Sequence, residues 1–163
     1  FNTMGPLLSP ARPEFQIMGI ANPGLGPTIA ETMKTLGRSR ALVVHGAGTD
    51  EIAVHGDTLV WELKDGEISH YTVAPAELGV DKHMLEDLRG GDGEENAAAM
   101  RATFAGEGPT AHRDAVAVNA GAMFYLYGMA DSLAEGTAHA KQLLADGSVA
   151  QWLRTHEEAD YSG

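Results

Sequence analysis

Asp50 and Glu51 are the residues of this 163-residue chain whose types and spacing best support chemistry. They follow Ala41-Leu42-Val43-Val44, a short apolar run that reads as a buried strand, and the tight turn His45-Gly46-Ala47-Gly48-Thr49. Two carboxylates then stand together at the carboxyl end of a strand, the edge where ligands of open α/β sheets bind. Paired oxygen donors there suit a hard cation such as Mg²⁺, which takes one or two carboxylates and completes its shell with water and substrate phosphate. A plainer alternative has Asp50 capping the next segment and Glu51 solvated.

The neighbouring elements must hold that edge. Phe15 to Ala21 is apolar enough for a strand, and Asn22-Pro23-Gly24 breaks it. Gly26-Pro27-Thr28 opens a helix whose Ile29, Met33 and Leu36 recur at helical spacing as one buried face, with Gly37 as its stop. Residues 15–44 thus read strand–helix–strand, a parallel crossover. After Glu51 the period changes to two, through Ile52 and Val54 and then Leu59, Trp61 and Leu63. Asp65-Gly66 is a hairpin turn and Ile68 to Val73 the return strand, an antiparallel excursion. His55 and His70 lie in it and read as surface histidines, since neither has a partner at metal-ligand spacing.

The second Gly-rich stretch, Leu88 to Asn96, runs into the helix former Ala97 to Ala105. Such a loop can cradle an anion, but no Gly-Lys-Ser/Thr follows and no strand immediately precedes it. Asp92 as N-cap with Glu95 in a capping box is the favoured role. Residues 109–128 form the longest helix, small or apolar nearly all round, with Asn119 as a satisfied core amide. A further helix follows Asp131-Ser132, and a last one starts at Ser148 with Val149, Trp152 and Leu153 packed inward. Residues 157–163 read as a frayed tail. The first thirteen residues, rich in proline, read as an irregular loop in which Gly5 would let the backbone approach a ligand.

The length is enough for one domain with a real core, and 44% apolar content argues against disorder. A net charge of −12 argues against nucleic acid and anionic membrane surfaces as partners. A phosphate-bearing small molecule remains open if a metal supplies positive charge. No cysteine is present, so disulfides and thiolate zinc sites are excluded. No apolar run approaches transmembrane length and no signal peptide is visible, so a cytoplasmic location is expected.

Three stretches together resemble the anthranilate phosphoribosyltransferase family of tryptophan synthesis. Phe1-Asn2-Thr3-Met4-Gly5-Pro6-Leu7-Leu8-Ser9-Pro10 is similar to the family's Phe-Asn-x-x-Gly-Pro-Leu-x-Asn-Pro segment, with Ser9 where Asn is usual. Val44-His45-Gly46-Ala47-Gly48-Thr49-Asp50-Glu51 is similar to its Val-His-Gly…Gly-x-Asp-Glu turn, one residue shorter than the commonest version. Leu88 to Asn96 is similar to its Leu-x-Gly-Gly…Glu-Asn stretch. Order and spacing agree over about residues 1–150.

The resemblance implies an α/β fold, part of a nucleoside phosphorylase/phosphoribosyltransferase-type domain, with a mostly parallel sheet, an antiparallel hairpin excursion and flanking helices. It implies that Asp50 and Glu51 bind the Mg²⁺ that accompanies phosphoribosyl pyrophosphate (PRPP), and that Gly5 and Pro6 wall the anthranilate pocket. No nucleophilic side chain is required. Residues 1–156 would be the C-terminal portion of the catalytic α/β domain. The family's N-terminal helical dimer-forming domain and its Gly-Thr-Gly-Gly-Asp phosphate loop precede the Gly-Pro-Leu segment and do not occur in these residues. The chain is therefore expected to be inactive alone, to need the missing half, and to belong to a homodimer when intact. Two alternatives remain: a pyrimidine-nucleoside phosphorylase-like enzyme, and a non-catalytic fragment or paralogue acting as a binding module.

Overall fold

One strand–helix–strand unit supplies the only parallel pairing among the described residues. The computed structural model describes residues 4–8 and 10–157. A short helical turn, α1 (Met4–Leu7), precedes β1 (Phe15–Gly19), α2 (Gly26–Thr35) and β2 (Arg40–Gly46). β1 and β2 run parallel, with Phe15 opposite Arg40 and Gly19 opposite Val44. β3 (Thr58–Lys64) and β4 (Glu67–Val73) add on antiparallel, giving the order β1-β2-β3-β4. The α/β class stands. The sheet of this chain is mixed, with two antiparallel pairings to one parallel, rather than mostly parallel. The expected hairpin turn is present, with Asp65 at φ 52° and Gly66 at φ 78°, the left-handed pair that a two-residue turn matching strand twist requires.

β2 reads as a continuous apolar run because both of its faces are covered. Ala41 and Val43 face α2, in a cluster with Met18, Ile29, Met33 and Trp61. Leu42 and Val44 face the other way, onto Val118, Ala122 and Leu126. Those last residues belong to α4 (Thr110–Leu126), which follows α3 (Gly93–Phe104) and precedes α5 (Leu133–Ala145) and α6 (Ser148–Glu157). α4 and α5 meet backbone to backbone at Gly121 and Gly136. Ala117, Ala140 and Leu144 close a third cluster outside the sheet.

Several expectations need correction. Leu36 is not part of the buried face of α2 and is 43% exposed. The helix stops at Thr35, leaving Leu36 as its C-cap residue, and Gly37 at φ 80° turns the chain away directly after it. Trp152 does not pack inward; it is 60% exposed and stacks on His156, while Val149 packs against the α4–α5 cluster. Ile52 and Val54 are buried in a loop, not in a strand. The Gly5–Pro6 stretch is a helical turn rather than irregular loop. Phe1 to Thr3 and Ser9 of the first motif, and residues 158–163 of the expected tail, lie outside the described residues; α6 runs through Glu157. No helix among the described residues is long and apolar enough to cross a membrane.

Candidate active site

The loop that carries Asp50 and Glu51 is pinned from every side. β2 ends in a tight turn in which Gly46 and Thr49 exchange backbone hydrogen bonds at 3.0 and 2.9 Å, and the Thr49 hydroxyl donates to the Gly46 carbonyl at 2.8 Å. Ala47 takes φ 48° and Gly48 φ 98° to make that reversal. Residues 50–53 then lie across the strand ends. A Cβ on Gly19 would sit 1.6 Å from the Asp50 carbonyl oxygen, and one on Gly46 would sit 2.3 Å from that of Glu51. Only glycine leaves room for the loop at both positions.

Side chains complete the hold. The His45 ring donates through Nδ1 to the Ile20 carbonyl at 2.8 Å, tying the end of β2 to the chain leaving β1. The Ala53 amide donates to the Thr58 hydroxyl at 2.9 Å. From α4, the Asn119 amide takes the Ile52 N–H on Oδ1 at 3.0 Å and donates through Nδ2 to the Ile52 carbonyl at 3.1 Å. Asn119 is therefore a satisfied core amide, as its sequence context suggests, and its partner is the residue next to Glu51.

Asp50 and Glu51 both keep solvent access. The Glu51 carboxyl is held above the ordinary glutamate value, first by partial burial and second by the Asp50 charge. A cation held by the pair would favour the charged form of both carboxyls against those two effects. Two hard, solvent-accessible oxygen donors fit Mg²⁺, which needs few protein ligands when substrate phosphate and water supply the rest. No group of three or more His, Asp and Glu residues converges on a metal position among the described residues. Such a set would suit a metal wholly caged by protein better than one shared with a phosphorylated substrate.

Beside Glu51 lies a cavity of about 570 Å³ between this loop, α3 and α4. Its walls are mostly apolar, Val54, Leu88, Met100 and Val116 among them, and His55 and His112 reach it. His55 is half-buried there, its Nε2 3.3 Å from the Ala47 carbonyl oxygen, whereas His70 is exposed and stacks on Trp61.

The Gly-rich stretch before α3 is a cap. Asp92 accepts from the Glu94 and Glu95 amides, and Glu95 accepts from the Asp92 amide, all at 3.0 Å. Asn96 takes the Gly91 amide at 2.9 Å. The Gly91, Asp92, Glu94 and Glu95 N–H groups, which could otherwise cradle a phosphate, are occupied by the chain's own side chains. Gly5 and Pro6 are exposed, with nothing within 4 Å of a Cβ at Gly5. The Pro6 carbonyl is held by the Gln16 side chain at 3.2 Å, whereas Asp50 rests on Gly19. Gln16 and Gly19, the residues that carry those two contacts, are about 10 Å apart along β1.

The Asp50–Glu51 pair lies just beyond the carboxyl end of β2, the edge at which open α/β sheets bind their ligands. The glycosyl transferase family, a/b domain, matches residues 1–150, and the chain belongs to that family. It is 68% identical over 161 residues to an anthranilate phosphoribosyltransferase of Corynebacterium aurimucosum, covering 99% of this chain and 47% of the relative. It is similar to the solved anthranilate phosphoribosyltransferase of Thermus thermophilus, at 40% identity and TM-score 0.78, covering 85% of this chain and 40% of that one. The Saccharomyces cerevisiae enzyme in complex with PRPP and Mg shares the fold, at 22% identity and TM-score 0.77 over 93% of this chain and 44% of that one. The chain spans about half the length of the curated relatives it matches.

Proposed function

We propose that this chain is the C-terminal part of the catalytic α/β domain of an anthranilate phosphoribosyltransferase. The reaction transfers the phosphoribosyl group from PRPP to the anthranilate amine. A bond forms between that nitrogen and the ribose C1, the bond from C1 to pyrophosphate breaks, and the amine gives up a proton. The 68% identity to the Corynebacterium enzyme carries this reading, and it favours the transferase over a pyrimidine-nucleoside phosphorylase. The yeast relative's complex with PRPP and Mg supports a metal-bearing site in the fold.

Asp50 and Glu51 would hold Mg²⁺, which would neutralise charge on the departing pyrophosphate. The chain's own part is positional. Gly19, Gly46 and Thr58 hold the backbone of the loop that carries the two carboxylates, so that backbone needs little reorganisation when charge develops. Gly5 and Pro6 would wall the anthranilate pocket once the rest of the domain is joined. The intact enzyme is read as a cytoplasmic homodimer.

The test is anthranilate consumption, followed by its fluorescence, with PRPP and Mg²⁺. It is run on this chain alone, on the chain with the N-terminal half of the Corynebacterium relative, and on the same mixture carrying Asp50→Ala and Glu51→Ala. Activity only in the unsubstituted mixture is expected. Turnover that survives the double substitution would remove the metal assignment, and turnover by the chain alone would remove the assignment as a partial domain.

A further inference from the structure

Asn119 stands out among the polar residues of α4 for the completeness of its engagement. Its Nδ2 donates both to the Ile52 carbonyl at 3.1 Å and to the Ala115 carbonyl one turn back at 3.0 Å, while Oδ1 accepts from the Ile52 amide at 3.0 Å. The bond to Ala115 fixes the side chain on the helix. The two bonds to Ile52 then fix both polar backbone groups of a single residue. Ile52 is buried beneath that contact, so both groups lose their protein partner if Asn119 is removed. The contact joins residues 67 apart in sequence. It acts on the residue directly after Glu51 and two after Asp50.

We propose that Asn119 is the positioning residue of the Asp50–Glu51 pair: its amide docks the loop onto α4 and thereby sets where the two carboxylates point. The inference rests on the reading of that pair as the metal site. An amide is needed, because no other side chain of this size both accepts from an N–H and donates to two carbonyls. Asn119→Asp would set an ionised oxygen against the Ile52 and Ala115 carbonyls. Asn119→Leu would keep the volume and leave both Ile52 groups unpaired.

The experiment is done by NMR on the full chain, with Mn²⁺ as the metal probe. The Mn²⁺ concentration that half-broadens the Asp50 and Glu51 amide signals reports metal binding. Amide exchange over residues 50–53, measured without metal, reports the loop. In Asn119→Ala, the Mn²⁺ requirement is expected to rise by about tenfold or more, the range seen when a group that orients a metal ligand is removed. Exchange over 50–53 is expected to accelerate by a similar factor. Leu144→Ala, in the cluster away from the sheet, is the control for lost stability and should leave both readings at the parent values. If Asn119→Ala does not fold, Asn119→Ser is measured the same way.

Parent-like Mn²⁺ binding and loop exchange in the Asn119 variants would overturn the proposal. So would equal changes in Leu144→Ala, since the effect would then be one of global stability. Asp50→Asn with Glu51→Gln separates the two ideas. If that variant binds Mn²⁺ as the parent does, the metal reading falls, and exchange over 50–53 still decides whether Asn119 holds the loop.

Discussion

Gly46 shows how a residue acts by what it lacks. It sits in the His-Gly pair that ends β2, and a single methyl group there would meet the Glu51 carbonyl at 2.3 Å and the Ala53 amide at 2.6 Å. Both obstacles are loop backbone, which cannot rotate out of the way as a side chain could. Gly46→Ala is expected to cost about 1–3 kcal/mol through overpacking, read as a lowered urea midpoint with an unchanged slope. The same substitution at the open Gly93, where nothing lies within 4 Å, should cost far less. At this scale the sequence was readable in part. The carboxylate pair is legible because strand, turn and acids are consecutive. The need for glycine at 19 and 46 is not, because the obstructing atoms belong to residues brought back by the loop.

Among the elements, α4 does most of the joining. One side covers the sheet, and its Gly121 lies against α5 so closely that a Cβ would be 2.4 Å from the Thr137 amide nitrogen. Gly121→Ala should therefore push the two helices apart and cost about 1–3 kcal/mol or more, seen as a fall in thermal midpoint and weakened near-ultraviolet signal. The start of α4 carries a second tie. Buried Asp114 accepts from His83 Nε2 at 2.7 Å and from Lys141 Nζ at 3.1 Å, and Lys141 also donates to the Gly79 carbonyl at 3.2 Å. This cluster fastens the chain between the sheet and α3 onto α4 and α5. Lys141 is partly solvated, so Asp114→Ala should cost about 2–3 kcal/mol, in the range for hydrogen bonds to charged groups. Faster amide exchange should follow over residues 79–88. The small-residue content of residues 109–128 points to close packing, and the helix ends are correct to within two residues. The partner of each face was beyond reach, because a helix that is apolar nearly all round does not say which side meets the sheet.

At the scale of the whole molecule, the opposite end of the sheet from the carboxylate pair is closed by a buried acid. Glu62 on β3 accepts from Tyr71 of β4 at 2.9 Å and from Tyr125 of α4 at 2.6 Å. The Arg40 guanidinium lies over the Tyr125 ring at 4.6 Å. Burial, followed by the Glu62 charge, raises the Tyr71 hydroxyl far above its ordinary value. The Tyr125 hydroxyl is raised as well, by burial first and then by its hydrogen bond to Glu62. The folded chain thus keeps protons that the unfolded chain releases above about pH 10, so this stability is present below that pH and is lost as pH rises past it. Urea midpoints should fall between about pH 9 and about pH 11, and Tyr71→Phe should flatten that fall while lowering the midpoint at neutral pH. Equal falls in parent and variant would assign alkaline unfolding to other groups.

Local pattern in the sequence determined the strand–helix–strand unit, the hairpin at Asp65-Gly66, the cap at Asp92 with Glu95, and the carboxylate pair after β2. Each depends on residues within a few positions of one another, where backbone geometry and hydrogen-bonding reach are set by spacing alone. The tertiary structure decided what surrounds them: β2 shared between a parallel and an antiparallel neighbour, Leu36 and Trp152 left outside, and Asn119 seated on Ile52. Those outcomes depend on the angle at which α4 crosses the sheet and on where α2 and α6 stop. That geometry comes from packing between residues far apart in the chain, and no local spacing encodes it.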